Sequence, residues 1–296
     1  MGGGSKIGFG VRLTRRLFVS ATGAGMLSAR LLPAQDVVYQ CPMDPEVRSN
    51  VAGVCPRCGM KLASHIPEPV EFPMDLTVTP RAFKAGQKVQ LEFTVRDPQN
   101  SKLVEHFQIV HEKLFHLFVV SQDMKFFLHD HPVLGSDGKF RFELAFPRPG
   151  MYRALGDFFP DGATPQLNAK TILVPGGSQA VPALTKDYST KDSGNMHVSL
   201  TTDPPAPFPG VKTMMFFKLD PAEGLEKYIG AWGHMLAASD DLIDMIHTHP
   251  FIADGGPEMQ FNVYFPRERD YRVWVQFQRK GVVNTAYFDV PVRELR

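Results

Sequence analysis

The 296-residue chain has only three cysteines and two tryptophans. So few thiols, odd in number, cannot all pair within the chain, which excludes a fold held by a disulfide framework. Neither sign of charge is in excess: 32 Lys and Arg against 31 Asp and Glu leave a net charge of +1. That balance argues against a strongly basic nucleic-acid surface or a polyacidic tail, so no nucleic-acid partner is expected. Apolar runs of bilayer length are also missing, and no membrane span is expected in the mature chain. Turn-forming residues are abundant instead, with 25 Gly and 25 Pro, beside 23 Phe. Frequent breakers separated by Phe and β-branched residues favour short strands over long helices. The expected class is mainly β.

The first segment carries Thr14-Arg15-Arg16-Leu17-Phe18, then a mildly apolar stretch of small residues ending at Leu32-Pro33-Ala34. A charged start, an apolar middle and a small-residue end are the layout of a signal peptide. The Arg pair resembles the twin-arginine signal, which implies export of an already folded protein to the periplasm or the medium. Residues 1–35 are therefore expected to be a removable address, with cleavage near Ala34. No Cys follows at the spacing of a lipid-attachment site.

All three cysteines fall in one short stretch, Cys41-Pro-Met-Asp44-Pro and Cys55-Pro-Arg-Cys58-Gly-Met. Two thiolates two residues apart, with Gly59 relaxing the turn, aim both sulfurs at one point. Cys41-x-x-Asp44 repeats that spacing with a carboxylate in second place. Cys41, Asp44, Cys55 and Cys58 together could close a four-ligand shell around a soft or borderline cation. The alternative is a Cys55–Cys58 or Cys41–Cys55 disulfide with one spare thiol. Residues 39–63 resemble the small heavy-metal-binding domain of bacterial copper-handling proteins, found on efflux ATPases and periplasmic efflux components. The resemblance implies a copper-type ion and an efflux or delivery partner. That family usually has His where this chain has Asp44; a carboxylate is harder than imidazole, which weakens the case for Cu(I) here and leaves zinc or a three-thiolate site open.

The remainder repeats itself. His116 and Ser121-Gln-Asp123 recur as His234 and Ser239-Asp-Asp241, and His129-Asp-His131-Pro132 recurs as His247-Thr-His249-Pro250, all at an offset of 118 residues. Phe146-Pro-Arg148 and Tyr152-Arg153 recur as Phe265-Pro-Arg267 and Tyr271-Arg272, one residue later in register. Two copies of one unit follow from this constancy. Alternation in Val89-Gln-Leu-Glu-Phe-Thr-Val and Phe140-Arg-Phe-Glu-Leu-Ala-Phe has the period of half-buried strands. Each copy is expected to be an antiparallel sandwich of about seven strands, immunoglobulin-like or cupredoxin-like. The expected plan is a heavy-metal-binding module over 36–66, sandwiches over 70–176 and 194–296, and a linker over 177–193.

A tight turn between Gln122 and Asp123 would set His116 opposite His129, with His131 on the same face. A turn between Asp240 and Asp241 would do the same for His234, His247 and His249. Three converging imidazoles suit copper, zinc or nickel and leave a coordination position open. His106 and His111 are not repeated, and would either add ligands to the first copy or be solvated. Met235 and Met245 flank the second set, as core filler or soft donors. The unit also resembles the YtkA-like group of secreted β-sandwich domains, through Phe127-x-His129-x-His131-Pro132 and Phe146-Pro-x-x-Gly150-x-Tyr152. That resemblance implies a secreted location and an association with metal handling. The functional expectation is an envelope protein that sequesters or hands on copper or a similar ion, one ion per sandwich. The alternatives are a metal-dependent enzyme built on a three-His site, and a structural or partner-binding pair whose only metal is at the cysteines.

Overall fold

A computed structural model describes residues 37–181, 183–252 and 254–294. The expected export signal lies outside the described residues. Among those residues the regular structure is entirely strand. The first two strands, β1 (Tyr39–Gln40) and β2 (Arg48–Ser49), pair antiparallel and carry the cysteine module. So short a segment has little apolar surface to bury. Its buried side chains are Cys41, Cys55, Cys58 and Met60, which pack with Val110 and Phe159 of the first sandwich.

That sandwich holds β3 (Met74–Thr79), β4 (Lys88–Val95), β5 (Phe115–Ser121), β6 (Phe127–Asp130), β7 (Val133–Leu134), β8 (Phe140–Ala145), β9 (Gly150–Phe158) and β10 (Gln166–Val174). One sheet runs β3-β4-β8-β7 and the other β10-β9-β5-β6. This is the two-sheet strand order of the immunoglobulin type. The alternation read in β4 is realised, since Val89, Leu91, Phe93 and Val95 point into the core.

The second sandwich holds β11 (Lys191–Ser193), β12 (Met196–Asp203), β13 (Lys212–Asp220), β14 (Leu225–Glu226), β15 (His234–Ser239), β16 (Met245–Thr248), β17 (Glu258–Tyr264), β18 (Asp270–Arg279) and β19 (Val282–Pro291). One sheet runs β11-β12-β13-β17; in the other, β18 lies between β15 and β19, β16 edges β15, and β14 pairs with the end of β18. Strand β11 occupies part of the segment read as linker.

Strands β5 and β15 break the alternation, being buried at every position. Phe115, Leu117 and Val119 enter the first core, while Met235 and Ala237 enter the second. The opposite faces meet each other. Phe118, Val120, Met124 and Leu155 join Leu236, Ala238, Leu242 and Trp274 in an apolar cluster between the sandwiches. Burying a side chain such as Phe118 or Leu236 contributes about 1.5–3 kcal/mol. The sandwiches therefore associate through these two sheets, with His116 and His234 on the joined faces.

The expected hairpin register is corrected by the structure. His129 lies opposite Phe118 rather than His116, and His247 opposite Leu236 rather than His234. The turn is wider because side chains build it. The Ser121 N–H donates to the Phe126 carbonyl (3.1 Å), the Phe126 N–H donates to Ser121 Oγ (2.9 Å), and that hydroxyl donates to Asp123 Oδ1 (2.6 Å). Ser239, Asp241 and Asp244 repeat the arrangement. The register differs by two residues, which preserves the face on which each side chain lies.

Candidate metal centre

The module brings its four predicted residues together. Cys41 Sγ and Cys58 Sγ are 3.5 Å apart, and Asp44 Oδ2 lies 3.4 Å from Cys55 Sγ and 3.8 Å from Cys41 Sγ. All three cysteines are buried free thiols, so neither alternative disulfide is formed. The Cys58 contact, then the nearby backbone N–H groups, lowers the Cys41 thiol to about 7 against its burial. The same contact pushes Cys58 up, and burial raises Cys55 to about 11. Cys41 is thus the most acidic of the three thiols, and a bound cation would displace the protons of the other two.

Both histidine sets also converge. His116 Nδ1 lies 3.2 Å from His129 Nε2 and 3.2 Å from His131 Nε2. His234 Nδ1 lies 3.1 Å from His249 Nε2, with a His247 ring nitrogen in the same group. Three nitrogens bound tetrahedrally to one ion at about 2.0–2.1 Å stand roughly 3.3 Å apart, so the spacing fits. Burial lowers His116 to about 4 and His131 to about 3, and holds His129, His234 and His249 well below the usual imidazole value. These rings are neutral near pH 7, the form that binds metal.

The tautomers follow from the groups behind each ring. His116 Nε2–H donates to the Val110 carbonyl (3.1 Å) and His129 Nδ1–H donates to Gln276 Oε1 (2.7 Å). His116 Nδ1 and His129 Nε2 therefore face each other as lone pairs, an arrangement that calls for a cation between them. In the second set His234 Nε2–H donates to the Tyr228 carbonyl (2.8 Å) and His247 Nδ1–H donates to Asp157 Oδ2 (2.5 Å). That leaves His247 Nε2 buried with no protein partner. The donor sets fit a borderline or soft transition-metal ion.

Two residues of this centre escaped the sequence reading. Asp157 and Gln276 are counterparts in the repeat, each buried, and each supports a histidine of the other sandwich. Burial raises the Asp157 carboxyl, but donation from His247 and the adjacent imidazoles outweigh it and leave it lowered. A lone Asp inside apolar Leu155-Gly-Asp-Phe-Phe159 was the available signal. His111, which the sequence left as either an added ligand or a solvated side chain, is not solvated: it is buried at 3% exposure and its two ring nitrogens lack any protein partner. Its ring centroid is 3.7 Å from that of His249, and burial lowers it to about 3. Met235 is core filler and Met245 lines the inter-sandwich cluster. His65, His106 and His197 are exposed and belong to neither set.

The two centres are not isolated from each other. Met43, Asp44 and Arg57 of the module line a cavity of about 360 Å³ together with His249 and Phe251. Arg57 lies 3.8 Å from Asp44 and stacks over Phe251 at 4.0 Å.

Fold and site together define an all-β protein in which a heavy-metal-binding module precedes two joined sandwiches. The family model described as Heavy metal binding domain matches residues 38–64. The chain belongs to the family described as Domain of unknown function (DUF8832), whose model matches residues 71–172 and 190–294 and so covers the repeated unit. No curated protein matches the chain. Among solved structures it is similar to the adhesin InvE of Yersinia pseudotuberculosis, at 12% identity and a TM-score of 0.25, over 75% of this chain and 60% of that one. It is similar to the adhesin FdeC of Escherichia coli at 11% identity and 0.27, over 80% and 71%. A two-domain fibronectin type III segment of chicken tenascin gives 12% and 0.24, over 75% and 100%. Scores this low carry no argument, and the fold assignment rests on the strand order itself. Among the described residues no helix is long and apolar enough to cross a membrane.

Proposed function

We propose that this chain is an exported protein of the cell envelope that holds copper, or a similar transition-metal ion, and passes it on. The observation that carries this reading is the facing pair of lone pairs at His116 and His129, fixed by acceptors behind both rings. The Cys41, Asp44, Cys55 and Cys58 group supplies a softer second site. The cavity shared by Asp44 and His249 provides a short route for ligand exchange between the two. The twin-arginine motif at Arg15 and Arg16 supports export, and an efflux or delivery protein is the expected partner.

Metal analysis of the full chain recovered from the periplasm is expected to give up to three ions per chain, one at the thiolates and two at the histidines. His131→Gln combined with His249→Gln, at rings toward the edge of the centre, should remove the histidine-bound ions and keep the other. An unchanged stoichiometry in that variant, with its β-sheet circular dichroism intact, would overturn the reading. Arg15→Lys with Arg16→Lys should leave the protein in the cytoplasm.

A further inference from the structure

The two histidine sets belong to different sandwiches, yet four ring pairs across the interface fall within the range of spacings found inside a set. Across it, centroids are 5.2 Å apart for His129 and His234, 5.6 Å for His116 and His247, 5.9 Å for His116 and His234, and 6.0 Å for His129 and His247. Within the sets the spacings run from 4.5 Å for His247 and His249 to 6.0 Å for His234 and His247. The supports are exchanged as well, Gln276 serving His129 and Asp157 serving His247. Neither sandwich alone supplies the acceptor that orients its own second histidine, His129 or His247. His111 sits at the junction, 5.6 Å from His234 and 6.5 Å from His116 by centroid, against 3.7 Å from His249. Both of its nitrogens are buried and unpartnered, a costly arrangement for a residue with only a packing role.

We infer that the two sets form a single dinuclear metal centre built across the sandwich interface, with His111 as a seventh ligand. This rests on the metal-holding reading above and deepens it: the bound ions are neighbours that sense each other, not one independent ion per sandwich. The repeat has Ile229 where the first copy has His111, so the extra ligand makes the two halves unequal and gives one ion a richer shell.

The test is Cu(II) titration of the full chain carrying Cys41→Ser, Cys55→Ser and Cys58→Ser, followed by electron paramagnetic resonance. The wild-type chain with its module first filled by Zn(II) serves as a second sample. At two bound Cu(II) per chain, the expected spectrum shows spin–spin coupling, with a half-field transition or an integrated intensity well under two spins. Two bound ions giving two full, isolated signals would overturn the dinuclear centre and leave the metal-holding function standing. Retention of a single ion would also overturn it. No retained copper in either sample would overturn the function itself. His111→Ile, copying the second sandwich, is expected to weaken the second ion at least tenfold and alter the spectrum. An unchanged spectrum and affinity would remove His111 from the ligand set.

Discussion

Each imidazole offers two nitrogens, and which one is free decides whether a cluster of rings binds metal or merely bonds to itself. In this chain the choice is made by fixed acceptors: the carbonyls of Val110 and Tyr228, the Gln276 amide and the Asp157 carboxylate. Gln276 is in turn held by donating Nε2 to Thr285 Oγ1 at 3.0 Å. Gln276→Leu should release the His129 tautomer while leaving every ligand in place. The expected result is a 10–100-fold loss of affinity at the first set, although residue 276 lies in the second sandwich. Competition against a chelator of known affinity measures it, and an unchanged affinity would remove the support role. His116, His129 and His131 were legible as a set from their spacing. Gln276 was not, since its function depends on a residue 147 positions away.

At the scale of the hairpin, the repeated Ser-x-Asp and Phe-Pro-Arg motifs are clamps. Asp123 is gripped by Arg148 at 2.7 Å, while Asp241 is gripped by Arg267 at 3.1 Å and carries the Ser239 hydroxyl. Tyr152 and Tyr271 tie back to the carbonyls of Arg148 and Arg267, four residues upstream. These contacts set the turn that places His129 and His131, or His247 and His249. Burial raises the Asp241 carboxyl, but Arg267, Ser239 and the Ile243 N–H outweigh it and lower it to about 2. A carboxyl depressed on folding stabilises fully above its unfolded value of 3.8, and that contribution is lost as pH falls through 3.8 toward 2. Asp241→Asn is therefore expected to cost on the order of 1–2 kcal/mol at pH 7 and to lose most of that cost by pH 2. Denaturant unfolding across that pH range checks it; a cost independent of pH would refute the ion-pair origin. Strand period could be read from the residues, and so could the shared face of the three histidines. The register could not, because hydrogen bonds from Ser121 and Asp123 set the turn length and leave no mark on hydrophobic alternation.

For the whole molecule, joining the sandwiches concentrates positive charge once two ions are bound. Only one buried carboxylate, Asp157, is hydrogen-bonded to a histidine of either set among the described residues. Taking the 6.0 Å spacing of His129 and His247 as the scale, two monovalent ions repel by roughly 3 kcal/mol and two divalent ions by roughly 11 kcal/mol at an effective dielectric of 20. Binding of the second ion should therefore fall further below the first for Zn(II) than for Cu(I). Stepwise titrations with each ion measure the two ratios. Equal ratios, near the statistical value for independent sites, would contradict a shared centre.

The amino-acid order alone determined the thiolate half-sites, the duplication, the β class and the face on which each histidine lies, because all of these depend on spacings within one strand or turn. The tertiary structure alone decided that the two histidine sets meet, that Asp157 and Gln276 cross between sandwiches, and that His111 joins them. The reason is that β5 and β15 each have a second apolar face to bury. That burial is non-directional, so no local periodicity names the partner surface on which it is satisfied.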